Sequence, residues 1–234
     1  MNSTPIVDVI IPAFNEEKSI VKVIGDIPKL VRYMVVANNN STDRTAEVAM
    51  EGGAQVVFEP QKGYGKACLT AMEWIKRQEV QPDILVFLDG DYSDYPEELE
   101  DLIAPILADK ADLVIGSRSM GQREVGSMTF PQVFGNGLAT LLMRWMYGAR
   151  FSDLGPFRAI SWSKLLALKM VDENFGWTIE MQIKAHQAKL RYLEVPVTYR
   201  KRIGVSKVSG TVKGMIGAGY KIIFTIFKYW RPFR

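Results

Sequence analysis

Short apolar runs, each followed by a polar or glycine-rich loop and then by a helical pattern, recur four times in the amino-terminal part of the chain. Residues 7–11, 33–37, 55–58 and 84–88 read as strands, and the run Ile84-Leu85-Val86-Phe87-Leu88 carries no polar side chain at all. Such a run is what a strand buried on both faces of a parallel sheet requires. Helices are expected from Asn15, as a cap, to about Asp26, from about Arg44, and through Ala67, Leu69, Met72 and Ile75. Strand, loop and helix repeated in this order predict an α/β fold with a Rossmann-like, doubly wound sheet, whose ligand edge is built from loops at the carboxyl ends of the strands.

Asp89-Gly90-Asp91 falls on that edge, directly after the apolar run. Two carboxylates one residue apart, with a glycine between them that allows close approach, suit Mg²⁺ or Mn²⁺ holding a nucleoside diphosphate. The alternative is an acidic strand-to-helix turn in which Asp94, Pro96, Glu97 and Glu98 start the next helix. Lys62-Gly63-Tyr64-Gly65-Lys66 is glycine-rich, but it lacks the spacing and the hydroxyl residue of a nucleotide-hydrolase phosphate loop.

Taken in order, Val9-Ile10-Ile11-Pro12-Ala13-Phe14-Asn15-Glu16, the Asn40-Ser41-Thr42-Asp43 turn with Thr45, Asp89-Gly90-Asp91, Gly116-Ser117-Arg118 and Phe157-Arg158-Ala159 resemble the GT-A fold of the family 2 glycosyltransferases. Glu194-Val195-Pro196-Val197 and Arg202-x-Gly204-x-Ser206-Lys207 are similar to the carboxyl-terminal pattern of its polyprenol-phosphate sugar synthases, the dolichol-phosphate mannose synthase group. The resemblance covers roughly residues 6 to 208 and implies a mixed sheet. It also implies an inverting enzyme that moves a hexose from a nucleoside-diphosphate sugar to a polyprenyl phosphate, with a UDP-sugar favoured and GDP-mannose second.

The same resemblance assigns roles. Asp91 would hold the metal, Asp89 the metal or the donor's ribose, and Pro12, Ala13, Asn15, Glu16, Asn38, Lys66 and Gly90 the rest of the donor. Arg118 would bind the acceptor phosphate, supported by Arg123, Arg200, Arg202 and Lys207, while Asp153 would place that phosphate or orient Arg158. Glu180 would face the same cleft and orient an arginine. Three positions depart from the family's usual pattern. Ser93 stands where relatives often carry a glutamine that contacts the metal, Asn38 where they usually carry aspartate, and Gly155-Pro156 replaces serine-glycine.

A lipid phosphate has a second pKa near ~6 and needs arginines more than a base. A saccharide or other hydroxyl acceptor would instead require Asp153 or Glu180 as base. A nucleotide-binding protein without catalysis is the rival from another class; no aromatic-basic RNA-binding pattern is present, so nucleic acid is not an expected partner.

Charge changes the picture at the carboxyl end. Of 234 residues with net charge +3, those from Val195 to Arg234 include nine basic and no acidic side chains. In the same segment Val212, Met215, Ile216, Tyr220, Ile223, Ile226, Phe227 and Trp230 share one side of a helical projection, with Lys213, Lys221 and Lys228 on another. Residues 209–234 are therefore expected to form a basic amphipathic tail on a catalytic domain of residues 1–208, lying on anionic lipid at the cytoplasmic face of a membrane. A helix packed on the domain or on a second subunit is the alternative; a homo-oligomer or a separate membrane subunit is the further candidate partner. The start of the chain shows no signal-peptide pattern, Cys68 is expected to be buried, and His186 is expected at the surface.

Overall fold

The computed structural model describes residues 4–204 and 212–230. The apolar runs form β1 (Val7–Ala13), β2 (Val31–Asn38), β3 (Gln55–Phe58) and β4 (Ile84–Phe87), and β5 (Leu113–Ser117), β6 (Arg158–Ser161) and β7 (Tyr192–Pro196) complete one sheet ordered β3-β2-β1-β4-β6-β5-β7. All neighbours are parallel except that β6 runs antiparallel to β4 and β5, so the sheet is mixed.

The chain steps outward from β1 to β2 and β3, then returns to place β4 on the other side of β1. Loops leaving β1 and β4 therefore diverge, and the crevice between them is where open α/β sheets bind ligands.

Alternating side chains fill both faces. Ile10, Leu85, Phe87 and Leu113 join one core cluster, while Val9, Ile11, Val86 and Val114 join the other. Among the helices are α1 (Ile20–Asp26), α2 (Thr45–Glu51), α3 (Tyr64–Lys76), α4 (Leu99–Leu107), α5 (Phe130–Tyr147), α6 (Trp162–Leu168), α7 (Trp177–Gln187) and α8 (Val212–Tyr229).

Asn15 does not cap the first helix, which begins five residues later at Ile20. It adopts φ 55, and its Oδ1 accepts from the Thr42 N–H at 2.8 Å while its own N–H donates to Ser41 Oγ at 3.0 Å. Tertiary hydrogen bonds to the loop after β2 have displaced the local cap.

The glycines before α3 serve packing. A Cβ on Gly65 would lie 1.9 Å from the carbonyl oxygen of Asp172, because the loop before α7 runs against the start of α3 and accepts the Lys66 N–H at 2.8 Å through Glu173.

α8 lies against α5 and α7 and buries Thr225 and Ile226 completely. No helix among the described residues is long and apolar enough to cross a membrane. Ile226→Ala is expected to cost about 2–4 kcal/mol of unfolding free energy in urea titrations, which would show that α8 belongs to the cooperative core. Gly65→Ala should cost about 1–3 kcal/mol by the same measurement, from overpacking against a backbone that has no room to shift.

Candidate active site

A cavity of about 560 Å³ opens at the crevice between the β1 and β4 loops. Eight of the residues expected from the sequence line it: Pro12, Ala13 and Glu16 after β1, Asp89, Gly90 and Asp91 after β4, and Arg118 and Arg202. Asn15, Asn38, Lys66, Arg123, Asp153 and Arg200 are not part of its lining, and Lys207 lies outside the described residues.

Asp89 accepts from the Tyr64 hydroxyl at 3.1 Å, and burial, reinforced by the charge of Asp91, pushes its pKa up to about 6. Asp91 is 3% exposed; one of its oxygens accepts from the N–H and hydroxyl of Ser93, at 2.9 and 2.5 Å, and the other from the Arg202 guanidinium. The Ser93 hydroxyl thus orients Asp91 from behind. The Arg202 segment is brought there by backbone pairing, Arg200 N–H to Ser93 O at 2.9 Å and Ile203 N–H to Asp91 O at 3.0 Å.

Asp94, fully buried, has no hydrogen-bond partner on either carboxylate oxygen among the described residues, and burial followed by the charges of Asp89 and Asp91 pushes its carboxyl well above the usual range. Asp94 is not part of the cavity lining, and no group of three or more acidic, His or Cys side chains among the described residues could hold a metal by itself. The donor set present is thus the pair Asp89 and Asp91, which fits a divalent cation that brings other oxygen ligands with it. Asp89 and Asp91 would hold it together with diphosphate oxygens, since Mg²⁺-type ions commonly take one or two carboxylates plus substrate phosphates.

Arg118, at the end of β5, is held by Asp153 in a two-pronged pair, Nε at 2.9 Å and Nη2 at 2.6 Å, and its backbone N–H donates to the same carboxylate at 2.7 Å. Burial opposes charge on Arg118, but Asp153 outweighs it and holds the guanidinium above its ordinary pKa. Glu194 on β7 accepts from the N–H groups of Ser152 and Asp153, fixing the loop that carries this pair.

Asp153 pairs with Arg118 and makes no ion pair with Arg158. The Arg158 side chain is instead spent on the carbonyls of Leu154, Gly155 and Thr178, and burial lowers its pKa to about 10. Glu180 orients no arginine either: it accepts from the Val171 and Asp172 N–H groups and the Tyr229 hydroxyl, and pairs with Lys184 at 2.7 Å. Arg200 stacks between Tyr92 and Tyr95 and donates to the carbonyls of Tyr92 and Asp94. His186 is half-buried rather than superficial, and bonds the Tyr192 hydroxyl and the Tyr147 carbonyl.

On the donor side the neighbours of two expected residues reach the cavity. Asn38 turns its Oδ1 to the Ser41 N–H, and Asn39 lines the site; Lys66 pairs with Glu173 at 3.2 Å, and Lys62 lines the site over the Phe14 ring. Tyr64, Trp177 and Tyr199 also line it. No spacing rule marks these residues; for Tyr64 the glycines on either side were a usable hint.

The sequence profile of glycosyl transferase family 2 matches residues 8–174. The chain belongs to that family. It is 37% identical over 231 residues to an uncharacterized glycosyltransferase of Mycobacterium tuberculosis, covering 96% of each chain. It is 30% identical over 205 residues to a dolichyl-phosphate hexose transferase of Haloferax volcanii, covering 86% of this chain and 85% of the relative. The glucosyl-3-phosphoglycerate synthase of M. tuberculosis, crystallised with Mn²⁺, UDP-glucose and phosphoglyceric acid, superposes with a TM-score of 0.76 at 22% identity, over 96% of this chain and 79% of the synthase. At that identity the likeness is one of fold.

Removing Arg118 leaves Asp153 buried and unpaired. Arg118→Ala is expected to lower the unfolding free energy by about 3–5 kcal/mol, and adding Asp153→Asn should restore much of the loss. Urea unfolding of the two single variants and the double variant measures the coupling.

Proposed function

We propose that this family 2 glycosyltransferase moves a hexose, with inversion, from a nucleoside-diphosphate sugar to a polyprenyl phosphate at a membrane surface. The observation that carries the reading is the divided lining of one cavity. Asp89 and Asp91 line it with Arg118 and Arg202, whereas the residues that α5, α8 and the loops beside them contribute are uncharged, apolar Met128, Pro131, Phe175, Ala218 and Ile222 together with the amides Gln132 and Asn136. An acceptor that joins a phosphate to a long hydrocarbon matches that division.

A divalent cation on Asp89 and Asp91 would neutralise the charge that grows on the departing diphosphate. The protein's own groups do the rest. A phosphate oxygen of the acceptor attacks the anomeric carbon, the bond from that carbon to the nucleotide's β-phosphate oxygen breaks, and its electron pair stays on the diphosphate. Arg118 draws the acceptor phosphate in, and Arg202 sits where it can exchange Asp91 for a phosphate oxygen. The acceptor is already deprotonated near neutral pH, so no base is required.

The hydroxyl-acceptor reading is less well supported, because both carboxylates it would use are occupied. Asp153 is taken up by Arg118, and Glu180 by two N–H groups, a hydroxyl and a lysine, outside the cavity lining. A uridine nucleotide is favoured over a guanosine one, a preference supported by the UDP-glucose bound to the structurally similar synthase.

The test is transfer from a panel of nucleotide sugars with Mn²⁺, offered a polyprenyl phosphate, 3-phosphoglycerate or a simple saccharide. Product is expected only in the lipid phase, and product on 3-phosphoglycerate instead would overturn the acceptor assignment. Asp91→Asn should abolish transfer and remove nucleotide-dependent Mn²⁺ binding, read by the ion's electron paramagnetic resonance, while circular dichroism stays native. Retention of that binding would sink the metal role of Asp91. Arg118→Ala, assayed where it remains folded, should raise the KM for the lipid on the order of tenfold or more, the loss of a charged hydrogen bond, and spare donor affinity.

A further inference from the structure

α5 carries an apolar stripe that no part of the described structure covers. Phe130, Phe134, Leu138, Leu141 and Trp145 recur at intervals of three or four residues, and all are exposed, Trp145 by 77%. This spacing places them on one side of the helix. The opposite side is packed, with Ala139 and Met143 fully buried.

α8 repeats the arrangement: Ile216, Tyr220, Phe224 and Phe227 form an exposed stripe, while Thr225 and Ile226 face the core. The helices are joined at their ends, where the Tyr147 hydroxyl donates to the Ile226 carbonyl and Trp230 Nε1 donates to the Met146 carbonyl at 3.2 Å. Both helices line the cavity, α5 through Pro131, Gln132 and Gly135, and α8 through Ala218, Gly219 and Ile222.

We infer that α5 and α8 together form one platform that seats on a bilayer containing anionic lipid, with the mouth of the cavity opening within its footprint. Charge selects this occupant over a second copy of the chain. Residues 125–152 contain Arg144 and Arg150 and no acid, and α8 contains Lys213, Lys221 and Lys228 and no acid, Lys221 being paired with Asp172 at 3.0 Å. Trp145 beside Arg144, and Trp230 two residues after Lys228, lie at the joined ends of the helices. Tryptophans next to cations are suited to headgroup depth, and apolar stripes of this width to the acyl boundary beneath it. The remainder of the chain carries the acidic excess, so an anionic surface attracts this face and repels the others.

The inference extends the lipid-acceptor reading but is tested without any sugar transfer. The full chain is floated with vesicles of phosphatidylcholine, with and without phosphatidylglycerol. Wild type is expected to float with the anionic vesicles and to be released by salt. Phe134→Asp with Trp145→Asp, both outside the cavity lining and α8, should weaken vesicle binding by roughly tenfold or more, as should Phe224→Asp alone. Val80→Asp, an exposed apolar position in the loop before β4, should change nothing, and circular dichroism should be native for all.

Flotation of the α5 double variant equal to wild type would overturn the inference. So would a change in its sedimentation from dimer to monomer with flotation unchanged, which would make the face a contact between copies. If flotation depends on α5 but no lipid phosphate is glycosylated, the platform stands and the proposed acceptor falls.

Discussion

Charged groups removed from water have to be neutralised or matched, and at the carboxyl ends of the central strands this requirement governs the architecture. Asp91, Asp94 and Asp153 are buried there, with Asp89 beside them. Their counterparts come from far along the chain: Arg118 from the end of β5 and Arg202 from the segment after β7. Each pairing ties a loop to the crevice, so the charged groups gathered there also fix the relative positions of the strands that carry them. Arg158, equally buried, takes carbonyl oxygens as its partners and stiffens the turn after Asp153.

The balance is incomplete by design of the site itself. The Asp94 carboxylate has no hydrogen-bond partner among the described residues, and Asp89 is pushed toward the neutral form by burial and by Asp91. Such a corner, dry and crowded with carboxylates, is a poor place for an apolar ligand. Beyond the two arginines the same cavity loses its charge where α5 and α8 line it. Charged side chains are thus confined to the sheet-edge part of the lining, and uncharged ones make up the part that α5 and α8 supply. The same two helices carry exposed apolar stripes outside the cavity.

Much of this was readable beforehand because it is local or periodic. Apolar runs with polar ends located β1 to β4, and the ordered motifs named the carboxylates and arginines that line the cavity. What escaped was decided by neighbours distant in sequence. Asn15 looked like a helix cap until the loop after β2 claimed its side chain, and Asn38 and Lys66 were engaged by a turn and by Glu173, leaving Asn39 and Lys62 to face the ligand space. His186 reads as a plain surface residue and Glu180 as facing the cleft to orient an arginine, yet both are satisfied internally.

The sequence by itself determined the class of fold, the family and the kinds of charged group at the site, since hydrophobic period and residue type act over a few neighbouring residues. Only the tertiary structure decided which arginine meets which carboxylate, that Gly65 is required by the backbone of Asp172, and that α5 shares an exposed apolar face with α8. Those outcomes depend on packing between segments separated by tens of residues, where a hydrogen bond or ion pair in a dry environment outweighs any local preference.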